Sequence, residues 1–162
     1  MTPAHPRDLI RLLLFAALTL GLAGNAFAQS PPEEFRKSLE RAVRSGAVQK
    51  SVCPGAPYCN PSSVTRFYQI RKYEPAWTRE GTPLPAADTL ARTIRAADAE
   101  GLQPKDYHLD RIEAALGEIR QILARNETPD AGRALALEFL LSDAYFIYAA
   151  HLLNGRVNPE TL

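Results

Sequence analysis

The side chains that could do chemistry are few. They are two cysteines, Cys53 and Cys59, two histidines past the N-terminal region, His108 and His151, and two acids in an apolar run, Glu138 and Asp143. A cysteine enzyme needs a thiolate beside a base that a third group orients. The cysteines lie instead in Cys-Pro-Gly-Ala-Pro-Tyr-Cys, where two prolines and a glycine let a short loop fold back on itself. A bridge between Cys53 and Cys59 would contribute about 2 kcal/mol on the chain-entropy account, less any strain. A metal site would need two further ligands, and none stands at zinc-like spacing. A reactive thiol would need a neighbour that lowers its pKa, and the sequence supplies none. A structural disulfide is therefore the favoured reading.

The acids do not form a catalytic pair. Glu138 and Asp143 are five residues apart on a helix, so they diverge by roughly 140°. Asp143 has only apolar neighbours on its own face, Ala136, Phe139, Leu140, Phe146, Ile147 and Ala150. A carboxylate there must be buried and must find a partner. The expected partners are Arg71 or Tyr68, and the expected role is a polar pin between helices. His108 and His151 read as hydrogen-bonding residues at helix ends or interfaces. No nucleophile-elbow, zinc-protease or phosphate-loop motif occurs. No catalytic, cofactor-binding or metal residue is expected, and an enzyme working through Asp143 or His151 is the weakest alternative.

Helices must position these groups. Thr128-Pro129-Asp130 opens a long helix that runs to Asn154, where Gly155 can stop it. Its middle is apolar nearly all round, so other helices or lipid must enclose it. Glu138, Asp143 and His151 decide for a protein interior, since each acid would cost about 2.5–3.5 kcal/mol at bilayer depth. A first helix starts at Pro31-Pro32-Glu33-Glu34 and ends near Gly46, and Lys50 to Pro61 reads as a loop. A second helix starts near Asn60-Pro61-Ser62, with Val64, Phe67, Tyr68 and Arg71 on one face. Pro75 then forces an extended piece, Tyr73 to Thr78, in which Trp77 is a packing anchor. A third helix spans Pro85 to Glu100. A fourth carries the seam Leu109, Ile112, Leu116, Ile119 and Leu123. The fold class is all-α: about five helices around a long central C-terminal helix, with short extended segments.

The N-terminus has the form of a signal peptide over residues 1–28. Arg7 and Arg11 precede the apolar run Leu12 to Ala23, and Ala26-Phe27-Ala28 is a small-x-small cleavage site. That predicts export to the periplasm, with membrane contact only through this segment before cleavage. Removing Arg7, Arg11 and Asp8 from 19 basic and 18 acidic side chains leaves 17 of each. No charge footprint for nucleic acid remains. The basic cluster Arg66, Arg71, Lys72 and Arg79 reads first as a solvated face.

Three blocks resemble a known family. They are Phe67-Tyr68-x-x-Arg71-x-Tyr73-x-Pro75-Ala76-Trp77, then Gly101-Leu102-x-Pro104-x-Asp106-Tyr107-His108, then Ser142-Asp143-Ala144-Tyr145 with Gly155-Arg156-Val157-x-Pro159. In order and spacing they resemble the scaffold domain of large periplasmic murein L,D-transpeptidases, over residues 62–162. The resemblance implies a helical, non-catalytic domain that supports peptidoglycan cross-linking by a separate catalytic domain. That catalytic domain carries a Ser/Thr-His-Gly-Cys motif, which is not in this chain. The implied partner is therefore an L,D-transpeptidase catalytic domain, in cis or in trans, with peptidoglycan as a further candidate. The chain would be a fragment, a truncated product or a stand-alone scaffold. The alternative is an independent periplasmic adaptor that binds protein or murein through the Arg66–Arg79 region. Residues 29–61 carry no motif and are expected to pack with 62–162 as one domain.

Overall fold

The computed structural model describes residues 31–155. The expected signal segment 1–28 and the motif residues Arg156 and Pro159 lie outside the described residues. The described chain is helical apart from one small hairpin. Helix α1 is Pro31–Arg44, α2 is Ala47–Val52 and α3 is Pro61–Ile70. Strands β1 (Thr78–Arg79) and β2 (Thr82–Pro83) form an antiparallel pair. Helix α4 is Pro85–Arg95, α5 is Leu109–Ala124 and α6 is Ala131–Asn154. Two 3-10 turns, Ala97–Glu100 and Pro104–Tyr107, join α4 to α5.

Helix α6 has 24 residues and is about 36 Å long. It is long and apolar enough to cross a membrane by composition. Every residue from Leu137 to Ala144 is nevertheless buried within the protein. Two apolar layers enclose it. On one side Leu90 and Ile94 of α4, Ile112, Leu116 and Ile119 of α5, and Tyr107 pack against Leu137, Leu141, Ala144 and Tyr148. On the other side Leu39 and Val43 of α1, Val48 and Val52 of α2, and Val64 and Tyr68 of α3 pack around Phe139. Helices α1 and α2, which precede residue 62, thus share a core with α3 and α6.

Four local details differ from the sequence expectation. The cap of α6 is Asp130, not Thr128: Asp130 has extended backbone and its Oδ1 accepts the Arg133 N–H at 3.0 Å. Asp is a stronger cap than Thr, and Arg133 also pairs with its carboxylate. Residues 47–52 form a helix rather than the start of a loop, because Gly46 takes a left-handed turn (φ 76°) and the chain resumes helical geometry. Val48 and Val52 then become buried. The third helix is not continuous: it ends at Arg95, and Ala97–Glu100 tightens into a 3-10 turn that Gly101 closes at φ 72°. There Leu102 donates its N–H to Ala97 O at 3.0 Å and folds into the core, as the glycine stop predicts. The stretch from Tyr73 to Thr78 opens with a left-handed pair, Lys72 and Tyr73, before it extends.

Candidate functional site

The polar groups of the interior meet on one segment of α6. Glu138 is fully buried, and five donors surround its carboxylate. Oε1 accepts the N–H of Trp77 at 3.0 Å, the N–H of Thr78 at 2.6 Å and the hydroxyl of Thr78 at 2.8 Å. Oε2 accepts the Tyr68 hydroxyl at 2.6 Å and the Ala76 N–H at 3.0 Å. Three consecutive backbone N–H groups therefore converge on one anion, in the manner of an anion-binding nest. The extended piece after Pro75 can present them because it has no helical partners of its own. Ser142, one turn further along α6, extends the network. The Trp77 indole donates to Ser142 Oγ at 2.9 Å. Tyr68 Oη and Ser142 Oγ are 2.8 Å apart. The Tyr68 proton points to Glu138, so Ser142 donates to Tyr68. Burial, with the Glu138 charge and hydrogen bond beside it, pushes the Tyr68 phenol well above its usual range.

Asp143 makes a second pin. It too is fully buried. Oδ1 accepts the backbone N–H of Asn60 at 2.7 Å, and Oδ2 lies 2.7 Å from Nε2 of His108. A carboxylate only accepts, so His108 carries its proton on Nε2. His108 is buried and left-handed (φ 58°), a conformation in which histidine is enriched among non-glycine residues. Its backbone carbonyl also accepts the Ile112 N–H at the start of α5.

This arrangement corrects the expected pairing of Asp143 with Arg71 or Tyr68. Tyr68 instead reaches Glu138, more than one turn nearer the start of α6, and Ser142, the residue before Asp143. Arg71 is exposed at the end of α3, donates to the carbonyls of Glu74 (3.2 Å) and Pro75 (3.1 Å), and lies over the Phe67 ring. It therefore stabilises the turn into the Trp77 segment. Asp143 remains an inter-helix pin, but its partners belong to α3's cap and α5's start.

The other motif residues fall around the same helix. Phe67 meets Phe146 edge-on at 5.4 Å. Tyr73 donates its N–H to Tyr68 O at 2.7 Å. Pro104 opens the second 3-10 turn, where Asp106 is buried and its N–H bonds Gln103 O. Tyr107 reaches Nδ1 of His151 through its hydroxyl at 3.0 Å and meets Tyr148 edge-on. Cys53 and Cys59 form the disulfide, with Cα atoms 5.2 Å apart.

Sequence reasoning missed Glu138. The signal was present: Ala134, Leu135 and Leu141 share its face. The test that flagged Asp143 as buried applies equally to Glu138.

Chemically these groups are occupied. A general base needs a path for its substrate, and both carboxylates are fully buried and already hydrogen-bonded. A concavity of about 830 Å³ lies elsewhere, between Phe35 of α1, the hairpin at Arg79 to Leu84, Leu123 and Pro129. Neither pin lines it. Among the described residues no group of three or more His, Cys, Asp or Glu side chains is placed to hold a metal ion.

Fold and site together define a helical support protein, in which polar side chains fasten surrounding segments to a buried central helix. The chain belongs to the Scaffold domain family, whose model matches residues 62–162. No curated protein and no solved structure matches it.

Proposed function

We propose that this chain is the non-catalytic scaffold of a peptidoglycan L,D-transpeptidase, working in the periplasm beside a catalytic domain supplied in cis or in trans. The observation that carries the reading is the convergence of the resembling blocks. Phe67–Trp77 and Gly101–His108 are far apart in sequence, yet both fasten to α6 around the third block, Ser142–Tyr145, through Glu138, Ser142, Asp143 and His151. A motif set spent on internal fastening suits a platform rather than a reaction centre. The Scaffold domain match over the same residues supports it. The Cys53–Cys59 bridge supports an oxidising compartment, and with it export through residues 1–28. The adaptor alternative would rest on Arg66, Lys72 and Arg79, which are exposed, since Arg71 of the same cluster is engaged with backbone carbonyls.

The test uses three mixtures. Purified chain is incubated with murein fragments bearing tetrapeptide stems, alone and with a separately expressed L,D-transpeptidase catalytic domain. Binding of chain to that domain is measured by calorimetry. The expected result is a complex, with cross-linking only when the catalytic domain is present. Turnover by the chain alone would overturn its non-catalytic role. Binding to murein sacculi without binding to the catalytic domain would favour the adaptor.

A further inference from the structure

The Cys53–Cys59 loop touches α6 on both sides of its second sulfur. Asn60, one residue beyond Cys59, donates its backbone N–H to Asp143 at 2.7 Å. Tyr58, one residue before it, sets its ring edge-on against His151 at 5.0 Å. Asp143 and His151 are about two turns apart on α6. The bridge therefore sits between two attachments to the C-terminal half of the central helix. Asn60 has a further duty, since its side chain caps α3 by accepting the Ser63 N–H at 3.1 Å.

The two cysteines differ in surroundings. Cys59 is exposed, as are Pro54, Gly55 and Pro57. Cys53 is partly buried at the end of α2 and packs against the core around Phe139. A cavity of about 320 Å³ separates Gly55–Pro57 from Lys105, His108 and Arg111. The loop thus has room to shift once the cross-link is opened. An accessible disulfide that closes a loop is placed for exchange, whereas a purely structural one is ordinarily shielded.

We propose that Cys53–Cys59 is an exchange site for a dithiol oxidoreductase, and that its redox state sets how firmly Tyr58–Asn60 clamps α6. The partner's thiolate attacks Sγ of Cys59, forming a mixed disulfide. Cys53 leaves as a thiolate and takes a proton from solvent. The partner's second thiolate then attacks its own sulfur in the mixed disulfide, and Cys59 leaves as a thiolate that is protonated in turn. The partner ends oxidised to its disulfide and the chain ends as a dithiol, a two-electron transfer between the two. Opening the bridge removes the constraint that holds the Asn60 N–H on Asp143, and His108 keeps that carboxylate alone.

The full chain is treated with a water-soluble phosphine without denaturant, and free thiols are counted by maleimide gel shift. Hydrogen exchange is then read at the Asn60 amide and at core amides of Leu141 and Ile112. The expected result is complete reduction of the folded chain and about tenfold faster exchange at Asn60, with Leu141 and Ile112 unchanged. The double variant C53S/C59S should show the same local loosening without reductant. A thioredoxin-fold dithiol protein lacking its resolving cysteine should be trapped on Cys59. Reduction only in denaturant, unchanged exchange at Asn60, loss of protection throughout the core, or no trapped complex would each overturn the proposal.

Discussion

At the residue scale, Tyr68 shows how burial and charge set a side chain's behaviour. Its phenol is fully buried and donates to a carboxylate. Ionising it would place a second negative charge beside Glu138 in the buried interior. The neutral form is favoured in the folded state, so the folded pKa is raised above the ordinary value of 10.0. A raised tyrosine pKa contributes stability that is fully present below pH 10 and is lost as pH rises beyond it. Tyr68→Phe removes this linkage and also a hydrogen bond to a charged acceptor, worth about 1.5–3 kcal/mol. Urea unfolding measured from pH 8 to pH 11.5 should show the variant less stable than the parent at pH 8. Above pH 10 the parent should lose up to about 1.4 kcal/mol per pH unit more than the variant, so the two curves converge. Parallel curves would mean that Tyr68 ionises as freely folded as unfolded.

At the element scale, Ala76 and Trp77 precede a two-residue strand, yet the segment Ala76–Thr78 is heavily fastened to α6. A two-residue strand pair has little stability of its own. The turn that closes it, Glu80-Gly81, has positive φ at both residues, the geometry that matches strand twist in a two-residue hairpin. What holds the segment on α6 is Glu138. Glu138→Ala would leave three backbone N–H groups, the Thr78 hydroxyl and the Tyr68 hydroxyl facing an apolar gap. Breaking such a buried charged network costs about 3–5 kcal/mol. The expected outcome is a matching fall in the free energy of unfolding, with faster hydrogen exchange at Trp77 and Thr78 and a red-shifted Trp77 emission. An unchanged emission maximum would show that apolar packing alone keeps the segment docked.

At the scale of the whole molecule, α6 is enclosed along its middle and open near its end. Tyr145 and Leu152 lie seven residues apart on one face, 47% and 49% exposed, and Leu153 is 83% exposed. Neighbouring exposed apolar groups of this size commonly mark a contact surface. Sedimentation velocity on the isolated chain should show concentration-dependent association, and a triple change of Tyr145, Leu152 and Leu153 to serine should abolish it. A strict monomer at all concentrations would instead describe a self-sufficient domain.

Much of this was legible in the chain itself. The helices follow from 3.6-residue apolar spacing and from prolines and glycines at their ends, because those signals are local. The central place of α6 follows from its all-round apolarity combined with two acids. The disulfide was legible because seven consecutive residues determine whether their ends can meet. Partner choice was not. Asp143 and Glu138 each announce a buried charge, but which donors arrive depends on how α3, the Trp77 segment and the start of α5 pack around α6. The same holds for His108, whose left-handed backbone aims its ring at a carboxylate 35 positions away. Local chemistry determined which groups needed partners; only the tertiary structure decided which partners they took, because hydrogen bonds act over about 3 Å while the residues that make them are separated by tens of positions in the chain.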